Sequence, residues 1–148
     1  MLLSAVILLR DQETTVLPSY LGKAAHALFL RLIASADAEV GARLHEDSGP
    51  RPFTVSDLMG LPHTRGGVRI IAGQTCFLRF TSYANGLSNL LAQKVLPSLP
   101  AEVELANGRF AVEEVFLEST AHALSGRVSY EELVERHLLQ KKRSSEIP

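Results

Sequence analysis

The chain has little cysteine and few aromatic residues. Among its 148 residues there is one cysteine, Cys76, and no tryptophan, and aromatic residues make up 6%. A single cysteine excludes an intrachain disulfide and a cysteine-based zinc site, and a reducing cytoplasm is the simplest compartment for such a chain. So few rings argue against a wide base-stacking platform. We expect Cys76 to be a small core residue.

The chain also lacks an excess of charge of either sign. Fifteen lysines and arginines face sixteen aspartates and glutamates, for a formal net charge of -1. A nucleic-acid site would therefore have to be a local basic patch and not a field over the whole molecule. Hydrophobic residues at 46% and charged residues at 21% exclude a disordered chain and are typical of one globular domain.

One long hydrophobic run is present, LLSAVILL at residues 2–9. Eight residues are far fewer than the ~20 that a helix needs to cross a bilayer. No basic residue precedes the run and no small-residue cleavage site follows it, which argues against a signal peptide. The run predicts a buried first β-strand, and we expect no membrane partner.

The rest of the chain alternates between helical and extended patterns. Apolar residues recur at helical spacing from residue 21 to about 34, and Asp37 is placed to cap a short second helix that ends near Leu44. Further predictions are a strand from residue 53, two β-rich runs at 68–71 and 75–81 that form a hairpin or a bulged strand, a helix over 87–95, a hairpin turning at residues 107–108, and a last helix over 129–140.

This order of elements predicts the fold class α+β. Two right-handed β-α-β crossings within one antiparallel sheet make a ferredoxin-like βαββαβ fold, here followed by a C-terminal helix. The first and third strands would lie in the centre of the sheet. RNA-recognition domains use the same scaffold, although a fold alone does not establish a function.

The chemistry-bearing residues include five histidines, and their spacing fits no metal motif. We expect no metal and no other cofactor. His45 falls at the end of the short second helix, where the helix dipole favours its charged form, and its usual pKa of about 6.5 suits proton transfer. Arg51, six residues later, could hold a phosphate. The alternative is that His45 only caps the helix and Arg51 is a solvated loop charge.

Four further residues are candidates for catalysis or for RNA binding. His26 falls at the edge of the apolar stripe of the first helix, so it is either a half-buried boundary residue or a functional neighbour of the His45 loop. His63 and Arg65 lie in the glycine-rich loop at residues 60–67, beside Arg69. These three residues form a small basic cluster that could meet a phosphate backbone, or they are ordinary solvated loop charges.

The sequence LHE at residues 44–46, followed by RPFTVS at 51–56, resembles a known family. It is similar to the N-terminal half of the CRISPR-associated endoribonucleases that cut precursor CRISPR RNA, which belong to the repeat-associated (RAMP) ferredoxin-like superfamily. The family pattern is a strand, a helix with an internal histidine, and then this motif. The segment ALSGRVSYEEL at 123–133 also resembles the linker of the family. The resemblance extends over nearly the whole chain and is densest over about a dozen residues.

The resemblance implies RNA cleavage without a metal ion. The ribose 2′-hydroxyl would attack the adjacent phosphate of a CRISPR repeat, leaving a 2′,3′-cyclic phosphate and a 5′-hydroxyl. By the same resemblance His45 is the general acid or base, and Arg51 takes the place of a lysine that steadies the phosphate. The implied partners are precursor CRISPR RNA and other subunits of a CRISPR effector complex.

Two departures from the family pattern are visible. Leu30 stands where some members carry a tyrosine on the first helix, so the third role is absent or falls to His26. Members also carry a second ferredoxin-like domain with a glycine-rich loop. We therefore expect residues 1–125 to be the N-terminal domain and 126–148 to be a linker helix toward a second domain that is absent from this chain. Much of the contact with RNA would be lost with that domain. The endoribonuclease activity is therefore expected of the full two-domain protein, and this chain alone could bind RNA weakly or not cut it at all.

Two other functions stay open. One is a non-catalytic RNA-binding or assembly module of a CRISPR effector complex, and the other is a small-molecule-sensing or oligomerisation domain. An enzyme should show His45 exposed, near Arg51 and His26, in a basic cleft. A binding module should show the basic cluster on an open face with His45 packed. A sensing domain should show an apolar pocket at a dimer interface. An exposed patch on so small a surface would also allow a homodimer.

Overall fold

The structure is a computed structural model that describes residues 1–46, 51–132 and 134–135. In chain order its elements are β1 (Leu2–Asp11), β2 (Thr15–Leu17), α1 (Gly22–Ala36), α2 (Ala38–Glu46), β3 (Phe53–Val55), β4 (His63–Thr64), β5 (Gly67–Ile70), β6 (Thr75–Ser82), α3 (Asn85–Leu90), β7 (Glu102–Leu105), β8 (Gly108–Phe116) and β9 (Gly126–Val128). After α3 the helical path continues through a wider turn at Leu91–Val95 and a tighter one at Leu96–Ser98.

The larger sheet is antiparallel and has the order β3-β6-β1-β8-β7. β1 is its central strand, which confirms the prediction from the run at residues 2–9. The long third strand predicted at 75–81 is β6, and it lies directly beside β1. β9 pairs with the first half of β1, and β8 pairs with the second half. This mixed α/β architecture is the predicted ferredoxin-like fold.

The prediction that the runs 68–71 and 75–81 form a hairpin or a bulged strand is wrong. β5 lies in a separate three-stranded sheet with the order β2-β5-β4, whereas β6 lies in the larger sheet. The turn between the two runs is fixed to the end of β1 instead, because Gly73 donates its N–H to the Asp11 carbonyl and Asp11 donates its own to the Gln74 carbonyl. The connection after β1 also contains β2, which the sequence pattern did not indicate.

The core lies between the larger sheet and α1. Every second residue of β1 from Leu3 to Asp11 is buried, as a strand with one face on a helix requires, and Val6 on the opposite face is buried as well. Phe29 of α1 stacks on Phe53 of β3, with ring centroids 4.7 Å apart, and meets the edge of Phe80 of β6 at 4.9 Å. These three rings hold α1 against the edge of the sheet where β3 begins.

Several local predictions are confirmed. Asp37 caps α2, because its carboxylate accepts the Val40 N–H at 3.1 Å. β7 and β8 form the hairpin that turns at residues 107–108. The Ser129 hydroxyl accepts the Glu132 N–H, as the predicted start of the last helix requires. Residues 133 and 136–140 of that helix lie outside the described residues. In the described part of the chain no helix is long and apolar enough to span a membrane.

Among the described residues, one carboxyl group lies in the core, that of Asp11. It is 1% exposed and accepts a hydrogen bond from the thiol of Cys76 at 3.3 Å, while its other oxygen, Oδ2, has no partner among the described residues. Burial raises the pKa of Asp11 above its usual range. Burial also raises the pKa of Cys76, and the neighbouring carboxylate adds to that effect. Cys76 is therefore a neutral core thiol, as expected.

We predict that Asp11→Asn increases the free energy of unfolding at pH 7. Because the pKa of Asp11 is raised in the folded state, wild-type stability falls as the pH rises through that pKa. Asparagine keeps the oxygen that accepts from Cys76 and removes the charge. Urea denaturation across about pH 4–7 should show a flatter profile for the variant. A variant less stable than wild type at pH 7 would mean that the carboxylate is better solvated than its burial indicates.

Candidate active site

His26 lies in the second turn of α1, beside the buried face of that helix. The helix begins where the Leu21 N–H donates to Asp57 Oδ1 at 3.2 Å, and its buried residues include Ala25 and Phe29. His26 follows directly after Ala25 and is half-buried, with its ring centroid 5.5 Å from that of Phe53. The helical spacing predicted this boundary position.

Arg51 reaches His26 from the segment that leads into β3. Its Nη1 lies 2.6 Å from Nε2 of His26, and its guanidinium carbon lies 5.9 Å from the centroid of the Phe53 ring. Arginine has only donors, so Nε2 must be the acceptor and the imidazole proton must be on Nδ1. The pair therefore holds His26 in its neutral form with a defined tautomer.

The charges around His26 also favour its neutral form. Burial lowers the pKa of His26, and the positive charges of Arg51 and His45 lower it further. His45 lies in the last turn of α2, and its side chain is exposed. The structure thus brings together the three residues that the sequence proposed for catalysis, one neutral imidazole, one cation and one exposed histidine. Such a set can take up a proton, release one and bind an anion.

Removal of the Arg51 charge should raise the pKa of His26. We expect Arg51→Ala to move the titration of the His26 ring protons, followed by NMR, toward higher pH. The value should stay below the usual ~6.5, because burial remains. Arg51→Lys keeps the charge and is the matched control, with a pKa near that of wild type. An unchanged titration in Arg51→Ala would show that the pair does not form in solution.

The basic cluster of the glycine-rich loop is on the smaller sheet. His63 lies on β4 and Arg69 on β5, with Arg65 in the turn between them, and all three side chains are exposed. His63 Nε2 lies 3.2 Å from the Leu58 carbonyl, and the Thr64 hydroxyl donates to the Gly67 carbonyl. Within the described residues no hydrogen bond or ion pair joins this hairpin to His26, His45 or Arg51. The cluster is thus a separate basic surface.

Sequence reasoning missed the residues that support the site. Phe53, expected only as the start of a strand, is the ring against which both His26 and Arg51 lie. Asp57 holds the start of α1, and the Tyr83 N–H donates to the Pro52 carbonyl at 2.8 Å, which fixes the residue after Arg51. The RPF motif was the only signal for Phe53.

In the described parts of the chain no group of three or more histidine, cysteine, aspartate or glutamate side chains could hold a metal ion.

Solved structures similar to this chain are Cas6 and RAMP proteins. A Thermus thermophilus Cas6 in a product complex is 29% identical, with a TM-score of 0.66, over 90% of this chain and 47% of that protein. A second Cas6 product complex is 25% identical, with a TM-score of 0.56, over 90% and 46%. A RAMP protein that binds different RNA substrates, 17% identical over 76% and 47% with a TM-score of 0.57, shares the fold. This chain therefore spans about half the length of these structures.

No curated protein sequence matches the chain. A family model does match it, over residues 1–96, and that model describes the CRISPR Cas6 N-terminal domain. The match covers well over half of the 148 residues and includes β1, both helices of the candidate site, Arg51 and the hairpin with the basic cluster. The chain belongs to the CRISPR Cas6 N-terminal domain family.

Proposed function

We propose that this chain is the catalytic N-terminal part of an endoribonuclease that cuts CRISPR repeat RNA in the cytoplasm without a metal ion. The observation that carries the proposal is the hydrogen bond from Arg51 to Nε2 of His26. His45 is exposed and near enough for its charge to lower the pKa of His26. Membership of the Cas6 N-terminal domain family and the similarity to Cas6 product complexes support RNA as the substrate.

The reaction needs a base, an acid and a cation. The O2′–P bond forms while the P–O5′ bond breaks, so one proton must leave the 2′-hydroxyl and another must reach the 5′-oxygen. His26 has a lowered pKa and a neutral ring, which suits acceptance of the 2′-hydroxyl proton. His45 is exposed in the last turn of α2, and a placed histidine there can donate the proton that the 5′-oxygen needs. Arg51 stabilises the charge that develops on the phosphate.

RNA binding would free the base. Nε2 of His26 accepts the hydrogen bond from Arg51 in the structure. A phosphate is a stronger acceptor for a guanidinium than a neutral imidazole is, because the hydrogen bonds are charge-assisted and can be bidentate. Arg51 would therefore move to the scissile phosphate and leave Nε2 available for the proton.

The basic hairpin gives a second contact with the RNA backbone. His63, Arg65 and Arg69 are exposed on one hairpin, and neither arginine is in an ion pair within the described residues. Arg65→Gln and Arg69→Gln should each weaken RNA binding without changing the cleavage step. Each phosphate contact that is lost should reduce the slope of log K against log salt by about one.

The proposal is tested with a labelled CRISPR repeat RNA in EDTA. We expect cutting at one site by this chain, products that end in a 2′,3′-cyclic phosphate, and much slower cutting by Arg51→Ala than by Arg51→Lys. Cutting that requires added divalent metal, or equal rates for the two variants, would contradict the proposal.

A second candidate function is a non-catalytic RNA-binding module. Leu30 favours it, because some family members carry a tyrosine at that place on the first helix. A gel shift with the same RNA, followed by recovery of intact RNA, would support this function over the nuclease.

A further inference from the structure

The face of the larger sheet that points away from α1 carries a cleft that the proposed chemistry does not use. Its floor is formed by Ser4 of β1 and by Arg79 and Thr81 of β6, and its wall is the segment 119–127, which leads into β9. The volume is about 430 Å³. We call it the sheet-face cleft. In β6 the residues on the opposite face, such as Leu78 and Phe80, are fully buried in the core.

The wall of the sheet-face cleft is held by specific contacts. Ser4 donates its hydroxyl to the Leu124 carbonyl at 2.5 Å, which ties the wall to the floor. The His122 ring stacks on Phe116 at 5.7 Å and meets Phe77 edge-on at 5.2 Å. The cleft is therefore a fixed part of the fold and not a gap under a loose loop.

An arginine with unused donors lies in the floor. Arg79 is half-buried, and its Nε donates to the Ser4 hydroxyl at 2.7 Å. Within the described residues its two terminal nitrogens have neither a hydrogen bond nor an ion pair, whereas Arg127, on the wall, is paired with Glu118 at 2.5 Å. A guanidinium that is anchored at Nε and has free terminal donors has the geometry for a phosphate.

An exposed aromatic ring stands at the rim. Tyr83 is 47% exposed, and its hydroxyl lies 3.5 Å from that of Thr81, which in turn bonds to the hydroxyl of Thr54 on β3. The Tyr130 hydroxyl donates to the Tyr83 carbonyl, so the backbone is held as well. An oriented, exposed ring next to a cation on the face of a sheet is an arrangement that stacks a base of single-stranded RNA.

We propose that the sheet-face cleft binds one nucleotide of single-stranded RNA, with Arg79 on its phosphate and Tyr83 stacked on its base. That the ligand is RNA rests on the proposed function; the site itself rests on the cleft, the arginine and the ring. Tyr83 also donates its N–H to Pro52, the residue after Arg51. The cleft and the candidate active site thus meet across β3, and a nucleotide in the cleft would fix which phosphate reaches Arg51.

The test is fluorescence anisotropy of this chain with a labelled single-stranded oligoadenylate RNA that carries 2-aminopurine. We expect Tyr83→Leu and Arg79→Gln each to weaken binding by about fivefold or more. Tyr83→Phe keeps the ring and should bind within about twofold of wild type. Arg31→Gln removes one charge from the exposed side of α1 and should also be neutral. The quenching of 2-aminopurine should be lost in Tyr83→Leu and kept in Tyr83→Phe.

Equal binding by wild type, Tyr83→Leu and Arg79→Gln would overturn the inference, and so would an absence of binding by wild type. Circular dichroism of each variant excludes misfolding. Arg79→Lys keeps the charge but not the two terminal guanidinium nitrogens, so its RNA affinity should lie between those of wild type and Arg79→Gln. Cleavage of the repeat RNA is measured in a separate assay. If the chain cuts repeat RNA and the cleft variants bind normally, the cleft inference fails and the nuclease proposal stands. If the cleft variants bind weakly and the wild-type chain cuts nothing, the cleft inference stands and the nuclease proposal fails.

Discussion

His45→Ala should slow cleavage of a CRISPR repeat RNA by about 10²–10⁴-fold, the usual contribution of a placed general acid or base. His45 is exposed in the last turn of α2, so its removal should leave folding intact. RNA affinity should change little, because the proposed role is in proton transfer and not in binding. Single-turnover cleavage rates and a gel shift on the same samples measure the two effects separately.

The control for His45→Ala is His63→Ala. Both histidines are exposed, but His63 lies on the basic hairpin of the smaller sheet. We expect His63→Ala to raise KM and to leave kcat near that of wild type. Wild-type rates in His45→Ala would rule out its catalytic role and would leave His26 and Arg51 as the only members of the proposed site.

Gly67→Ala should destabilise the protein by about 2–4 kcal/mol, the second large effect that we expect. Gly67 has a φ of +126°, and a Cβ placed there would lie 2.2 Å from the Leu17 carbonyl oxygen. That oxygen is backbone in β2, directly across from the start of β5, so it cannot move without breaking the pairing of the smaller sheet. Urea denaturation measures the loss.

The neighbouring glycine is the matched control. Gly66 has no positive φ, and a Cβ there would come no closer than 3.9 Å to the Thr64 hydroxyl. Gly66→Ala should therefore lie within about 0.5 kcal/mol of wild type. Equal stability of the two variants would mean that Gly67 does not have a positive φ close to the Leu17 carbonyl. RNA affinity should fall together with stability in Gly67→Ala, since the basic cluster is on that hairpin.

The parts of the fold that sequence patterns predicted are those determined by local rules. The run at residues 2–9 is apolar on both faces except for Ser4, a pattern that favours a central strand. Asp37 has the residue type and the place of a helix cap, and Asn107-Gly108 has those of a tight turn. The smaller sheet was missed because β2 and β4 have three and two residues, too few to show a period of two, and because β2 pairs with a strand about fifty residues later.

The candidate site was predictable as a set of residues but not as a geometry. His45 and Arg51 came from a motif, whereas His26 came from its place at the edge of an apolar stripe. Their approach depends on how α1 packs on β3 through Phe29 and Phe53, a tertiary contact between residues 24 positions apart. Helical spacing places His26 at the boundary of the helix. The spacing does not predict which strand will lie against His26.

Metal-independent cleavage by the ribose 2′-hydroxyl is tested most sharply with a repeat RNA that has a single 2′-deoxy nucleotide at the cut site, in EDTA. We predict that this chain cuts the unmodified RNA, leaves the 2′-deoxy RNA intact and still binds it, because only the attacking hydroxyl is missing. Cutting of the 2′-deoxy RNA at the same position would rule out this mechanism, since the nucleophile would then have to be water, and His26, Arg51 and His45 would need other roles.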